Sequence, residues 1–216
     1  MAATTPARKV KIEVLFDGPG PQANGLAADV DGLWVCDQKD NRIYKVRFDG
    51  SVVTSFATPA RNLSGCGFGG GAVWGGSNVR PSAVTKHDPA TGWCLQYLLL
   101  PNGESGGVHG IEWYEGALWV TRPGFKTIQK LNPDTGELLH EIPFPDPRNH
   151  GIFFRDGHAV VNETNNGNVY ELDLKDGAVL DHWQVDGFEA HGMTMTGDGR
   201  IWFCDATTNK IGVVAS

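Results

Sequence analysis

The chain has 216 residues, and its 25 acidic side chains against 18 basic ones give a formal charge of −7. That balance excludes nucleic acid and anionic membrane as natural partners, and no run is long and apolar enough for a membrane-spanning helix. The length suits one sizeable core, and the opening MAATTPARKV lacks the apolar stretch of a secretory leader. The expectation is a cytoplasmic protein, a monomer or simple homo-oligomer, acting on a small molecule.

The 29 glycines and 12 prolines are dispersed among short apolar runs, so they punctuate strands rather than form low-complexity tracts. In chain order, residues 9–16 (KVKIEVLF) read first as a lone strand. A four-strand unit follows: Leu26–Asp29, a turn at Asp31-Gly32, Leu33–Asp37, a turn at Asp40-Asn41, Arg42–Phe48, a turn at Asp49-Gly50, then Ser51–Phe56. The pattern then recurs. Trp34, Trp74, Trp119 and Trp202 follow small or glycine-rich turns, with Val160 in the same slot of the fourth copy. The turns DPATG and NPDTG fall at one place in copies two and three.

About ten residues before each of those slots stand Asn24, Ser64, His109, His150 and His191, each followed by glycine, at spacings of 40, 45, 41 and 41 residues. A repeat of about 40 residues with four short strands is a propeller blade. The fold expected is all-β: a single five-bladed β-propeller, with blades near 24–60, 61–101, 102–146, 147–187 and 188–216. The last copy supplies three strands, so residues 9–16 are expected to complete it, closing the ring and its open sheet edges.

The blade gives the polar residues a place. At ~3.3 Å per residue, two strands of about five residues and a short turn return the chain to the same face after about thirteen residues. A second ring therefore joins the first at one mouth of the channel: Asp37, Ser77, Arg122, Glu163 and Asp205. Three of the chain's 7 histidines fill the five first-ring slots. Three imidazoles beside carboxylates suit a divalent metal, with Zn, Fe or Mn favoured by ligand softness. Otherwise one His acts as general base. Arg122 would grip an anionic group or a developing oxyanion. Asn24, Asp37, Ser64, Ser77, Trp113 and Tyr114 are candidate substrate contacts, with Phe125 and Phe188 on loops near the mouth. The conserved-slot tryptophans read as packing between blades, and Cys36, Cys66, Cys94 and Cys204, with no C-x-x-C pair, as small apolar fillers.

The phrase HGMTMTGDGRIWFCDATTNKIG, with its fainter copy NGLAADVDGLWVCDQKDNRIYKV, resembles the blade phrase of the virginiamycin B (streptogramin) lyases, and more loosely the NHL and gluconolactonase-like propellers. The resemblance covers nearly the whole chain. It implies a catalytic His at His191, metal-binding acids at Glu189 and Asp205, an earlier His at His150 with Glu163 as its partner acid, and Mg as the ion. His109 adds a third imidazole to that pattern, and Ala190, Asn149 and Val108 stand where the family has proline. The implied activity is a metal-dependent carbon–oxygen lyase: His191 takes a proton alpha to a metal-polarised carbonyl, and a beta-oxygen substituent leaves. A hydrolase or lactonase using the same residues, with His109 and His150 as further catalytic or metal-binding groups, is the alternative; a non-catalytic binding propeller is the third.

Overall fold

The computed structural model describes residues 7–103 and 106–215. The first six residues, part of the segment read for a leader, lie outside that range. All regular structure among the described residues is β, and no helix is long and apolar enough to cross a membrane.

Twenty strands follow one another. β1 spans Arg8–Asp17. One four-stranded sheet is β2 (Ala23–Asp29), β3 (Gly32–Asp37), β4 (Arg42–Arg47) and β5 (Val52–Ala57). A second is β6 (Leu63–Gly69), β7 (Ala72–Ser77), β8 (Ala83–His87) and β9 (Cys94–Leu99). A third is β10 (Ile111–Tyr114), β11 (Ala117–Arg122), β12 (Thr127–Leu131) and β13 (Leu138–Pro143). The rest is one eight-stranded sheet, built from β14 (Asn149–Arg155), β15 (His158–Glu163), β16 (Asn168–Leu172), β17 (Val179–Asp186), β18 (Ala190–Met195), β19 (Ile201–Asp205) and β20 (Lys210–Val214) together with β1. Its order is β14-β15-β16-β17-β1-β20-β19-β18. The N-terminal strand is the link: Ile12–Asp17 pairs antiparallel with β20, and Arg8–Lys11 pairs parallel with β17. Both edges that would otherwise lie open, that of β17 and that of β20, are thus covered.

Strand limits differ slightly from the sequence reading. β2 begins at Ala23 rather than Leu26, because Ala23 pairs with Asp37 across a bulge at Asn24. The same bulge recurs at the start of β6, β14 and β18. It turns the first-ring residue out of the ladder while the strand continues below it.

The innermost strands touch in a closed cycle: β2 against β6, β6 against β10, β10 against β14, β14 against β18, and β18 back against β2. Apolar clusters fill the spaces between successive sheets. Trp34 and Ile43 pack with Leu63 and Val73, and Leu33 and Val35 pack with Trp202 and Ile211. Side chains buried in this way each contribute about 1.5–3 kcal/mol. The repeated tryptophans carry a second device. Lys45, Lys86 and Lys130 sit directly across the ladder from Trp34, Trp74 and Trp119, with each ammonium 5.2, 5.2 and 5.6 Å from the ring centre. A cation over an indole face is stabilising by about 0.5–1 kcal/mol at such partly exposed sites.

The His-Gly and Asn-Gly phrases have a steric cause. A Cβ on Gly110 would stand 2.0 Å from the carbonyl oxygen of His150 on the next inner strand; on Gly25, 2.3 Å from that of Ser64; on Gly151, 2.3 Å from the Met193 amide nitrogen. Backbone meets backbone there, and no side chain can move aside. Gly110→Ala is therefore expected to destabilise the fold by about 3 kcal/mol, at the upper end of overpacking costs. Gly157→Ala, in a turn with φ of +82° and nothing within 4 Å of the added carbon, should cost about 1 kcal/mol. Urea unfolding midpoints of the two variants check the order.

Candidate functional site

The bulged starts of the inner strands place the first-ring side chains side by side. Asn24 accepts a hydrogen bond from the Ser64 hydroxyl at 2.6 Å. The three histidines form a contiguous row. The rings of His109 and His150 are 4.5 Å apart and those of His150 and His191 4.8 Å, both edge to face. Their backbone is pinned by side chains of β11 and β15. The Thr121 hydroxyl accepts from the Gly110 amide and donates to the His150 carbonyl at 2.6 Å, and the Asn162 amide donates to the Ala190 carbonyl at 2.7 Å. These residues stand one position before the second-ring slots, and that register is the signal that finds them in the sequence.

All three imidazoles are held below the usual value. Burial pushes His109 down to about 4, with Arg148 and His191 adding to the effect. Burial, then the other two rings and Arg148, put His150 well below its ordinary value. In His191 burial outweighs the opposing pull of Glu189. The row is therefore neutral at pH 7. Its hydrogen bonds assign the tautomers. His109 Nε2 lies 2.6 Å from Asn78 Oδ1 and donates to it, which leaves Nδ1 as a buried lone pair without a partner among the described residues. His191 Nδ1 lies 3.0 Å from the Glu189 carbonyl and donates to it. Its Nε2 then carries a free lone pair, 3.8 Å from Glu189 Oε1.

The second ring does something else. Asp37 Oδ1 accepts from the amides of Lys39 and Asp40, and Oδ2 from that of Gln22. Asp205 Oδ1 accepts from Thr207 and Thr208, and Oδ2 from Glu189. Glu163 takes the amides of Asn165 and Asn166, and the Ser77 hydroxyl that of Arg61. Asp37, Glu163 and Asp205 each tie the turn that follows them, and Asp37, Ser77 and Asp205 tie the segment that enters the same sheet's inner strand. Arg122 is fully buried: it donates to Gln129 at 3.1 Å, lies 4.8 Å from the Phe125 ring, and is pushed down to about 10 by burial. Its Nε and Nη2 have no partner among the described residues.

Arg148, which the sequence reading passed over, is the guanidinium whose charge bears on all three histidines. Its signal in the sequence is its place directly before Asn149-His150. It donates to Asn165 at 3.0 Å and lines a polar recess of about 510 Å³ with Lys9, Thr164, Phe188 and Glu189. Trp113 and Tyr114 lie elsewhere, farther along β10 beside a different cavity with Phe153 and Phe154. Phe188 does border the recess; Phe125 covers Arg122.

The residues do not fit the expected metal. Among the described residues no three His, Cys, Asp or Glu side chains are grouped as a metal ion requires. Asp205 and Glu163 already accept turn amides, and Glu189 Oε2 accepts from the Thr207 hydroxyl. The histidines pack against one another edge to face.

Two outcomes follow. The three histidines of the row have lower pKa values folded than unfolded, so their contribution to stability is present above about pH 6.5 and is lost as the pH falls below it, for His109 down to about 4. Urea midpoints measured across that window should decline, and His150→Leu should make the decline shallower. Asp205→Ala should cost about 1 kcal/mol by removing the acceptor for the Glu189, Thr207 and Thr208 amides, with the same midpoint shift whether or not a chelator is present.

No family model and no curated sequence relative matches this chain. Solved structures do match it in fold. The glutaminyl cyclase of Myxococcus xanthus superposes with a TM-score of 0.81 at 13% identity, covering 98% of each chain. Virginiamycin B lyase from Staphylococcus aureus superposes with a TM-score of 0.60 at 21% identity, over 93% of this chain and 68% of that one. The same lyase has been solved as a catalytically inactive His-to-Ala variant with quinupristin. The chain thus has the β-propeller fold of these proteins.

Proposed function

We propose that the protein is a five-bladed propeller enzyme that eliminates a carbon–oxygen bond in a small anionic substrate, with His191 as general base. The blade count rests on the closed cycle of five inner strands, with the eight-stranded sheet taken as two blades, 147–187 and 188–216, joined by β1. The other three blades are the ranges 24–60, 61–101 and 102–146.

The observation that carries the function is the row of three buried, neutral imidazoles, which meets the polar recess through Arg148 and Glu189 in the recess wall rather than through the rings themselves. A neutral imidazole with a free Nε2 is a base ready to act, and the Nδ1 bond to the Glu189 carbonyl fixes its orientation. Arg148, at the rim, would hold a carboxylate or other anionic group so that the carbon acid faces His191. His191 Nε2 removes the alpha proton; the electron pair forms the double bond as the beta-oxygen departs. The imidazolium formed is a strong acid because burial disfavours its charge, so it returns the proton to the leaving oxygen. His150 and His109 form the desolvated wall that sets this acidity. The fold likeness to a lyase inactivated by a single His-to-Ala change supports elimination as the reaction class.

A second reading draws on the full-length match to a glutaminyl cyclase: the same base would assist ring closure of an N-terminal glutamine on its own side-chain amide, with loss of ammonia. One assay series separates the two readings and the hydrolase. Beta-acyloxy acids and glutamine-initiated peptides are incubated with the protein. Alkene absorbance reports elimination, ammonia reports cyclisation, and label from ¹⁸O-water in the acid reports hydrolysis. Elimination should dominate, and His191→Ala should lower it by about 10²–10⁴-fold. Arg148→Gln should act mainly on KM. Alkene formation that survives His191→Ala, or product carrying water oxygen without alkene, overturns the proposal.

A further inference from the structure

At the other end of the inner strands lies a second cavity. Its volume is about 180 Å³, room for about six waters at ~30 Å³ each, or for one six-membered ring with a short substituent. Glu112 lines it, three residues beyond His109 and so about 10 Å along the strand at ~3.3 Å per residue. Between the two lies a tight apolar plug, formed by Leu26, Cys66, Ile111, Ile152 and Met193, whose central gap admits no water. The second cavity is therefore separate from the histidine row.

Half of its eight lining residues are aromatic. Trp113 stacks on Trp74 with ring centres 6.1 Å apart, and Tyr114 on Phe154 at 4.1 Å. Phe153, Thr194 and Met195 complete the lining. Beyond Ala28 and Met195 it adjoins a larger recess of about 580 Å³ bordered by Phe48 and Phe68. In this setting a carboxyl group is out of place. Its one hydrogen-bond partner is the adjacent Trp113 amide, at 3.0 Å. Among the described residues that line the cavity, Ala28 from β2, Trp113 and Tyr114 from β10, Phe153 and Phe154 from β14, and Thr194 and Met195 from β18, none is a cation; Trp119 faces Glu112 across the ladder with Lys130 over its ring at 5.6 Å, and Arg200 lies in the adjoining recess, over Phe48. The ionised groups nearest in sequence on those strands are already paired, Arg155 with Glu171 and Asp29 with Lys45. Burial raises Glu112 to about 8.

We propose that this cavity binds a small organic ammonium ion, with Glu112 as its counter-ion and the aromatic faces as its walls. Ring faces carry negative potential and attract cations most strongly when water is excluded; a lone carboxylate does the same. The net charge of −7 favours the approach of a cation. A neutral carboxyl must ionise to form the pair, so binding transfers the Glu112 proton to the buffer.

The probe is benzylamine, which stays protonated across the range used, with benzyl alcohol as its neutral isostere. Binding is read by calorimetry on the full chain, with Trp fluorescence as a second signal. Benzylamine should bind, and its affinity should rise by up to about tenfold per pH unit from pH 6 towards 8, because ionising the carboxyl is part of the reaction. Calorimetry in two buffers of different ionisation heat at pH 7 should report release of about one proton per amine bound. Glu112→Gln, which matches the neutral carboxyl in shape, should keep the fold and lose about tenfold or more in affinity at pH 8. Equal binding of benzyl alcohol, absence of proton release, unchanged affinity in Glu112→Gln, or no benzylamine binding at any pH overturns the proposal. His191→Ala should leave benzylamine affinity unchanged, which keeps this result independent of the elimination chemistry.

Discussion

The close approach of the inner strands at the axis is the constraint on which the rest of the molecule depends. Five strand starts share one narrow centre, and neighbouring backbones come so near that a Cβ on Gly25, Gly110 or Gly151 would stand within 2.3 Å of a backbone atom. Glycine is thus required at the level just below the mouth. The bulge above it then turns the preceding side chain out of the ladder. The first-ring residue and the glycine that packing requires are adjacent because one local geometry places both. Packing fixes the Gly; what precedes it is free to vary, and here it varies from Asn and Ser to three His.

The second ring answers a related problem. A strand that starts in such a crowded centre must be entered by a tight segment whose amides leave water. Asp37, Ser77 and Asp205 each take an amide of that entering segment, while Asp37, Glu163 and Asp205 also cap the turn that follows them. Satisfied buried amides cost little, and orphaned ones cost about 1–3 kcal/mol each. A polar side chain thirteen residues after the first ring is therefore a clasp. Arg122 breaks the series. It has no acceptor for the local amides, and the third sheet closes its turn by backbone bonds from Phe125 to Arg122 and from Lys126 to Pro123 instead.

The sequence carried the architecture because the repeat is set by such geometry. The turn residues, the Trp slots and the His-Gly phrase all recur at one spacing, and the strand at residues 8–17 is recognisable as the surplus that completes the last copy. The histidine row was legible for the same reason: equivalent slots lie at one mouth. Roles were less legible. Glu163 and Asp205 look like ligands in a sequence, since a carboxylate capping a turn and one holding a metal share the same residue type. The direction in which it points depends on amides that the sequence does not locate. Trp113 and Tyr114 follow a His by a few residues, yet at 3.3 Å per residue that is enough to carry them past the plug to the other end of the strand. Arg148 carries no repeat signal, because the other sheets have no cation at its position.

The electrostatics of the row narrow its chemistry further. Carboxylates beside imidazoles raise their pKa values and favour the charged form; here Glu163 and Asp205 are turned towards amides, the pull of Glu189 on His191 is outweighed by burial, and Arg148 opposes protonation of all three rings. Such a site stores no proton at neutral pH. It can take one from a substrate, at the expense of placing a charge in a poorly hydrated row, and it is then driven to give that proton up again. An anion near Arg148 lessens that penalty, since the substrate's own charge offsets the guanidinium and stabilises the imidazolium. In the proposed elimination the base is thus strongest when an anionic substrate is in place, so that selection of the substrate and activation of His191 would be a single electrostatic event.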